Sequence, residues 1–93
     1  MKYLVTYQRV PGSESLIVEY LPAHRDHFMS YHQRGVLLAI GPLRDPANGE
    51  ALAIFTSREA AEEFVAGDPF MVHGIASCTI RAWQDVLQPG EPG

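Results

Sequence analysis

Three histidines lie within nine positions of the sequence, in the stretch LPAHRDHFMSYH. Imidazoles this close together can bind a metal ion, supply an acid–base catalyst, or lie on a helix surface without a chemical role. On a helix of 3.6 residues per turn, His24 and His27 lie about 60° apart and His27 and His32 about 140° apart. Because these side chains cannot converge on one ion, and because His73 and the sole cysteine, Cys78, lie far along the chain, we expect no metal site.

His24 is the histidine whose position best suits chemistry. It shares helical spacing with apolar Leu21, Phe28 and Tyr31, so it should face the sheet. It is then either a core histidine bonded to a backbone carbonyl or a general acid or base in a cleft. A general base needs an orienting carboxylate, and Asp68 is the leading candidate. An aspartate before a proline is also an ideal helix N-cap, which would be a purely structural role.

The other reactive side chains have plainer interpretations. His27 should be solvated beside Asp26, and His32 should lie in the last helical turn, where a partly positive imidazole is favoured. Asp26 and Asp85 are weaker partners for an imidazole, and Cys78 reads as packing within a strand. The sequence contains neither a Gly-x-Ser-x-Gly elbow nor a glycine-rich phosphate loop, which disfavours hydrolase triads and phosphate-cradling loops. Aromatic residues on the strands can line a ligand pocket but more often form core: Tyr3, Tyr7 and Trp83.

The elements that must position these residues follow from hydrophobic periodicity and local signals. Pro22 and Gly35 mark the start and end of a first helix, and Thr56 with Glu59 predicts a capping box for a second. We predict helices over 22–34 and 57–67, one short helical turn within 68–74, and strands over 2–8, 36–43, 51–55 and 75–86. The order β-α-β-β-α-β is that of an α+β, ferredoxin-like fold, with two helices on one face of an antiparallel four-stranded sheet.

The chain length of 93 residues favours one domain, residues 1–86, followed by a flexible Pro/Gly tail, residues 87–93. Two helices cover only one sheet face, yet the strands carry apolar residues on both faces. We therefore expect a homodimer that covers the second face. The alternative is that the loop over 44–50 and the tail cover it.

Composition excludes several partners. The net charge is −4 and the basic residues form no cluster in the sequence, which argues against nucleic acid and against an anionic membrane surface. No segment approaches the roughly 20 apolar residues of a membrane-spanning helix. One cysteine fits a reducing compartment, so we expect a cytoplasmic protein; nothing in the sequence suggests a cofactor.

Two stretches resemble the YCII-related family: LPAHRDHFMSYHQRGVLLAIGPL and VAGDPFMVHGIASCTIRAW. The first resembles the family's Pro-Ala-His helix start followed by a strand ending in Gly-Pro. The second resembles its Asp-Pro-aromatic turn before the last strand. The resemblance covers about residues 1–86. It implies a ferredoxin-like fold assembled as a dimeric α/β barrel, and relatives that include dehydrochlorinases of chlorinated hydroxyquinols.

The same resemblance implies a His–Asp acid–base dyad at His24 and Asp68. We expect a substrate pocket bounded by Tyr7, Leu21, Gly41, Pro42 and Phe70, in which the Gly-Pro that matches the family shapes the floor. Many members carry arginine where this chain has Leu21, so an anionic substrate group held there would have no partner. Three hypotheses follow: a small dimeric lyase or isomerase, a non-catalytic module that binds a small metabolite, and a purely structural His–Asp pair.

Overall fold

The computed structural model describes residues 1–88 of the chain. Four strands form one antiparallel sheet in the order β2-β3-β1-β4. The elements follow one another as β1 (Lys2–Arg9), α1 (Glu14–Gln33), β2 (Leu37–Pro42), β3 (Glu50–Phe55), α2 (Arg58–Gly67), α3 (Pro69–Val72) and β4 (Ala76–Trp83). This α+β arrangement confirms the ferredoxin-like fold expected from the sequence. The greater part of the predicted tail, residues 89–93, lies outside the described residues.

The first helix begins at Glu14, and the prediction that it starts at Pro22 was wrong. Gly12, at φ +85°, turns the chain after β1, and the hydroxyl of buried Ser13 donates to the Val10 carbonyl at 2.6 Å. Pro22 lies inside the helix, where it removes a backbone hydrogen bond to the carbonyl of Val18. That turn of the helix is solvent-exposed, so water can satisfy the carbonyl, and the helix continues through the proline.

The second helix is capped by Ser57 rather than by the Thr56 of the predicted capping box. The Ser57 hydroxyl accepts the backbone N–H of Ala60 at 3.1 Å. The helix buries Ala60, Ala61 and Phe64, which is the face expected from the periodicity.

The core lies between the helices and one face of the sheet. Val5, Ala53 and Phe55 are fully buried on the sheet side, and Tyr31 and Phe64 meet edge to face on the helix side, with ring centroids 5.1 Å apart. Register places the even-numbered residues of β1 on the opposite face, where Leu4 faces Ile54 across the strands. No helix among residues 1–88 covers that second face. The two-helix layer therefore leaves apolar side chains on the other side of the sheet.

Candidate active site

Asp68 is completely buried, and its carboxylate accepts three hydrogen bonds. Oδ1 is 2.8 Å from Nδ1 of His24 and 3.0 Å from the backbone N–H of Phe70, while Oδ2 accepts the Tyr7 hydroxyl at 3.1 Å. The bond to Phe70 is the N-cap of α3, which the Asp-Pro sequence predicts. The cap and the contact with His24 thus coexist on one carboxylate, so the two interpretations of Asp68 are compatible.

His24 is held in a fixed orientation by its neighbours. Its ring stacks on Phe70 with centroids 4.0 Å apart and planes 5° apart, and it meets Phe28 edge on at 5.3 Å. Because the Asp68 carboxylate accepts a hydrogen bond, Nδ1 of the neutral imidazole carries the proton and donates it. Nε2 is then unprotonated and can accept a hydrogen bond. Within residues 1–88 Nε2 has no hydrogen-bond partner, and the ring lies in the wall of a cavity.

That cavity has a volume of about 540 Å³ and lies between α1, the sheet and the loop that joins β2 to β3. All five residues proposed from the sequence to bind substrate line it, together with His24: Tyr7, Leu21, Gly41, Pro42 and Phe70. Asp68 lies behind this wall and touches the cavity only through its hydrogen-bond partners. Further apolar residues complete the lining, among them Ile17, Phe28, Ile40 and Ile75. A cavity of this size is typical of small-molecule sites.

The charged residues of the cavity were not predicted from the sequence. Arg9, Arg25, Arg44 and Glu50 all line it. They come from β1, α1, the β2–β3 loop and the start of β3. No local motif joins them, so only the folded chain brings them together.

The sequence did not predict the contact between the Tyr7 hydroxyl and Asp68. Burial, and then the neighbouring Asp68 carboxylate, raise the pKa of the Tyr7 phenol far above its usual range. The phenol therefore stays protonated and remains a donor to Oδ2. Burial and Asp68 also raise the pKa of Cys78, in agreement with its assignment to packing rather than to nucleophilic chemistry.

The remaining candidates lie outside the cavity. The prediction that His27 is solvated was wrong: its Nε2 lies 2.9 Å from the Phe64 carbonyl, and its ring packs between Tyr31 and Phe64. His32 lies exposed in the last turn of α1, as expected. Asp85 pairs with Lys2 at 3.3 Å. Asp26 is exposed on α1 and makes no hydrogen bond or ion pair within residues 1–88.

Two kinds of feature are absent from residues 1–88, a cluster of metal ligands and a membrane-spanning helix. No three histidine, cysteine or acidic side chains in that part of the chain are grouped as metal ligands would be. No helix in the same part of the chain is both long enough and apolar enough to cross a membrane.

The chain matches one sequence family and is similar in fold to solved structures. A model of the YCII-related domain matches residues 1–84. The fold is similar to that of 5-chloro-2-hydroxyhydroquinone dehydrochlorinase (TftG) from Burkholderia phenoliruptrix AC1100, solved in complex with 2,5-dihydroxybenzoquinone. The TM-score is 0.73 and the identity 20%, over 90% of this chain and 94% of that one.

Protein Atu4242 from Agrobacterium tumefaciens is also similar, with a TM-score of 0.55 and 17% identity, over 96% of this chain and 98% of that one. A sequence search of the curated proteins finds no significant match. At these identities the structural likeness establishes the fold alone.

Proposed function

Because the chain belongs to the YCII-related domain family, we propose that it is a small-molecule lyase or isomerase in which His24 and Asp68 form an acid–base dyad. The observation that carries this proposal is the contact of 2.8 Å between the imidazole Nδ1 and a fully buried carboxylate, with the imidazole in the wall of a cavity. The imidazole of the dyad therefore borders a space large enough for a small molecule.

Each contact of the dyad has a chemical consequence. Asp68 accepts from Nδ1, which keeps Nε2 available to take a proton from a ligand, and its negative charge stabilises the imidazolium that forms. The Tyr7 hydroxyl and the Phe70 N–H donate to two further lone pairs of the carboxylate and hold it in place. The stacked Phe70 ring sets the plane of the imidazole. Tyr7 acts as a positioning residue, because it reaches the imidazole only through Asp68.

The proposed reaction is a proton transfer coupled to elimination or isomerisation. In an elimination, Nε2 removes a proton, the released electron pair forms a new π bond, and the leaving group departs with its own electron pair. In an isomerisation, the imidazolium returns the proton to a second atom of the same ligand. Positioned acid–base groups of this kind contribute on the order of 10²–10⁴-fold to a rate. The similarity to TftG makes dehydrochlorination of a hydroxylated, chlorinated ring the first reaction to test.

The test compares chloride release from chlorinated hydroxyquinols by the wild-type protein, His24→Ala and His32→Ala. His32 is exposed and does not line the cavity, so its replacement is the matched control. We expect His24→Ala to lose roughly 10²-fold or more in kcat while His32→Ala keeps the wild-type rate. Unchanged turnover by a folded His24→Ala protein would contradict the base role.

The second candidate is a non-catalytic binding module. Leu21 favours it, because this apolar side chain on the cavity wall cannot hold an anionic substrate group for a reaction. His24 and Asp68 would then be hydrogen-bonding anchors for a metabolite. In that case the wild-type protein binds ring compounds with an affinity that depends on His24, and no bound compound is converted.

We also propose that the functional form is a homodimer. Leu52 and Ile54 are only half-buried on the sheet face that no helix among residues 1–88 covers, beside Leu4. A second copy of the same face is the simplest cover for this apolar surface. Sedimentation should show a dimer that Ile54→Glu dissociates, whereas Val18→Glu, at a 75% exposed helix position, leaves it intact. A monomeric wild-type protein at micromolar concentration would contradict the proposal.

The cytoplasmic location stays a prediction.

A further inference from the structure

Positive charge is concentrated at the cavity of a chain whose net charge is −4. Within residues 1–88, three of the seven basic residues line the cavity, compared with one of the ten acidic residues. We propose that the cavity takes a ring compound bearing a carboxylate, and that Arg9 and Arg44 hold this carboxylate. The inference names the substrate class of the site described above and rests on the proposed function.

Arg9 is placed by the sheet. It lies two residues after Tyr7 on the same face of β1, so their Cα atoms are separated by about 7 Å. The backbone N–H of Arg9 donates to the Gly49 carbonyl at 2.9 Å. The side chain lies across Gly49, since a Cβ placed there would come within 3.4 Å of the guanidinium carbon. Glycine at this position, with φ +85°, therefore makes room for the arginine at the cavity wall.

The guanidinium groups are free to bind a ligand. Arg9 contacts Glu14 at 3.8 Å, with both side chains substantially exposed, and such a pair is weak and exchangeable. Arg44 makes no hydrogen bond or ion pair with any residue in the range 1–88. Arg25, beside His24 on α1, is equally unpaired in that range and adds to the positive potential. A guanidinium offers two parallel N–H donors that match the two oxygens of a carboxylate.

The rest of the lining selects the body of the ligand. The cavity lining also includes apolar and aromatic residues: Phe28 and Phe70 contact the imidazole, and Ile75 lies elsewhere in the lining. A planar ring can pack there while its carboxylate reaches the arginines. Glu50 lines the same cavity and offsets part of the positive charge of the arginines. Leu21 then belongs to the apolar wall, and the anion is held from β1 and from the loop instead.

The test uses pairs of ring compounds that differ only in charge: benzoate with benzamide, and salicylate with salicylamide. Phenyl phosphate serves as the dianion. Dissociation constants are measured by calorimetry at low salt for the wild-type protein, Arg9→Gln, Arg44→Gln and Arg58→Gln. Arg58 is exposed and does not line the cavity, so it controls for the change in net charge. Circular dichroism confirms that each variant is folded.

We expect the wild-type protein to bind each carboxylate about tenfold or more tightly than its amide. Arg9→Gln and Arg44→Gln should each lose most of this preference, and Arg58→Gln should keep it. The inference is overturned if no carboxylate binds more tightly than its amide, if the preference survives in both cavity variants, or if Arg58→Gln removes it equally. Tighter binding of phenyl phosphate than of benzoate overturns the assignment to a carboxylate.

The inference and the proposed function can fail separately. A carboxylate preference that depends on Arg9 and Arg44, and that persists in His24→Ala, supports the inference even if no bound compound is ever turned over. If uncharged ring compounds are turned over in a reaction that depends on His24, and carboxylates are not preferred, the proposed enzymatic function is supported and the inference is overturned.

Discussion

Replacement of Asp68 tests the centre of the site without requiring a known substrate. Asp68→Ala removes the acceptor of three hydrogen bonds and leaves the Tyr7 hydroxyl and the Phe70 N–H without their partner. A stranded buried donor costs about 1–3 kcal/mol, so with two such donors the free energy of unfolding should fall by roughly 2–6 kcal/mol. A domain of this length has about 5–14 kcal/mol in total, by the usual range per residue, so the loss is a large share of it.

Asp68→Asn should behave very differently. Its amide oxygen can still accept from His24 and Phe70, and its amide nitrogen can donate to the Tyr7 oxygen, so the same three contacts persist. We expect a loss of about 1 kcal/mol in stability. The negative charge is removed, however, so any activity that forms an imidazolium at His24 should fall sharply.

The assay is urea unfolding followed by circular dichroism, with equal m-values required for the comparison. Asp26→Ala is the control, because Asp26 is exposed and unpaired within residues 1–88; its effect should stay within about 0.5 kcal/mol. If Asp68→Ala is no more destabilising than Asp26→Ala, the buried carboxylate is not the centre of the network described here.

Three further predictions concern the surroundings of the site. The pKa of the Tyr7 phenol is raised in the folded protein, so above pH 10, its usual pKa, the phenol ionises in the unfolded chain but not in the folded one. The free energy of unfolding of the wild-type protein should therefore fall with rising pH more steeply than that of Tyr7→Phe, by up to about 1.4 kcal/mol per pH unit. Equal slopes for the two proteins in urea unfolding at alkaline pH would refute this. Because burial and Asp68 raise the pKa of Cys78, its thiol should react with iodoacetamide more slowly than the thiol of free glutathione does at mildly alkaline pH. Asp68→Asn should accelerate the alkylation of Cys78. A wild-type rate equal to that of glutathione would count against the raised pKa. Gly49→Ala should cost roughly 1–2 kcal/mol in thermal or urea unfolding, since φ is +85° and the new Cβ would lie 3.0 Å from Cβ of Arg9, whereas Gly41→Ala meets nothing within 4 Å and should cost little; similar costs at both positions would argue against this reasoning.

Local patterns in the sequence predicted most of the fold. Apolar residues, alternating in β1 and nearly continuous in β2, located these strands. The spacing of Leu21, His24, Phe28 and Tyr31 indicated which side of α1 faces the protein. The start of α1 was misplaced because a proline at a helix start and a proline inside an exposed turn have the same sequence signature. The capping residue of α2 was wrong by one position because two hydroxyl residues are adjacent, and only the backbone geometry selects Ser57.

Long-range contacts decided what the sequence could not. His27 was misassigned because its partner, the Phe64 carbonyl, belongs to another helix. Likewise, nothing near Arg9 or Arg44 in the sequence indicates a shared cavity.

The sequence by itself determined the order of the elements and the two residue types suited to acid–base chemistry, since periodicity, caps and turns depend on neighbours along the chain. Only the tertiary structure brought His24, Asp68 and Tyr7 into one hydrogen-bonded network and placed the arginines around an open space. The physical reason is that such convergence depends on how helices pack on a sheet, and packing is determined by the whole core rather than by any local segment.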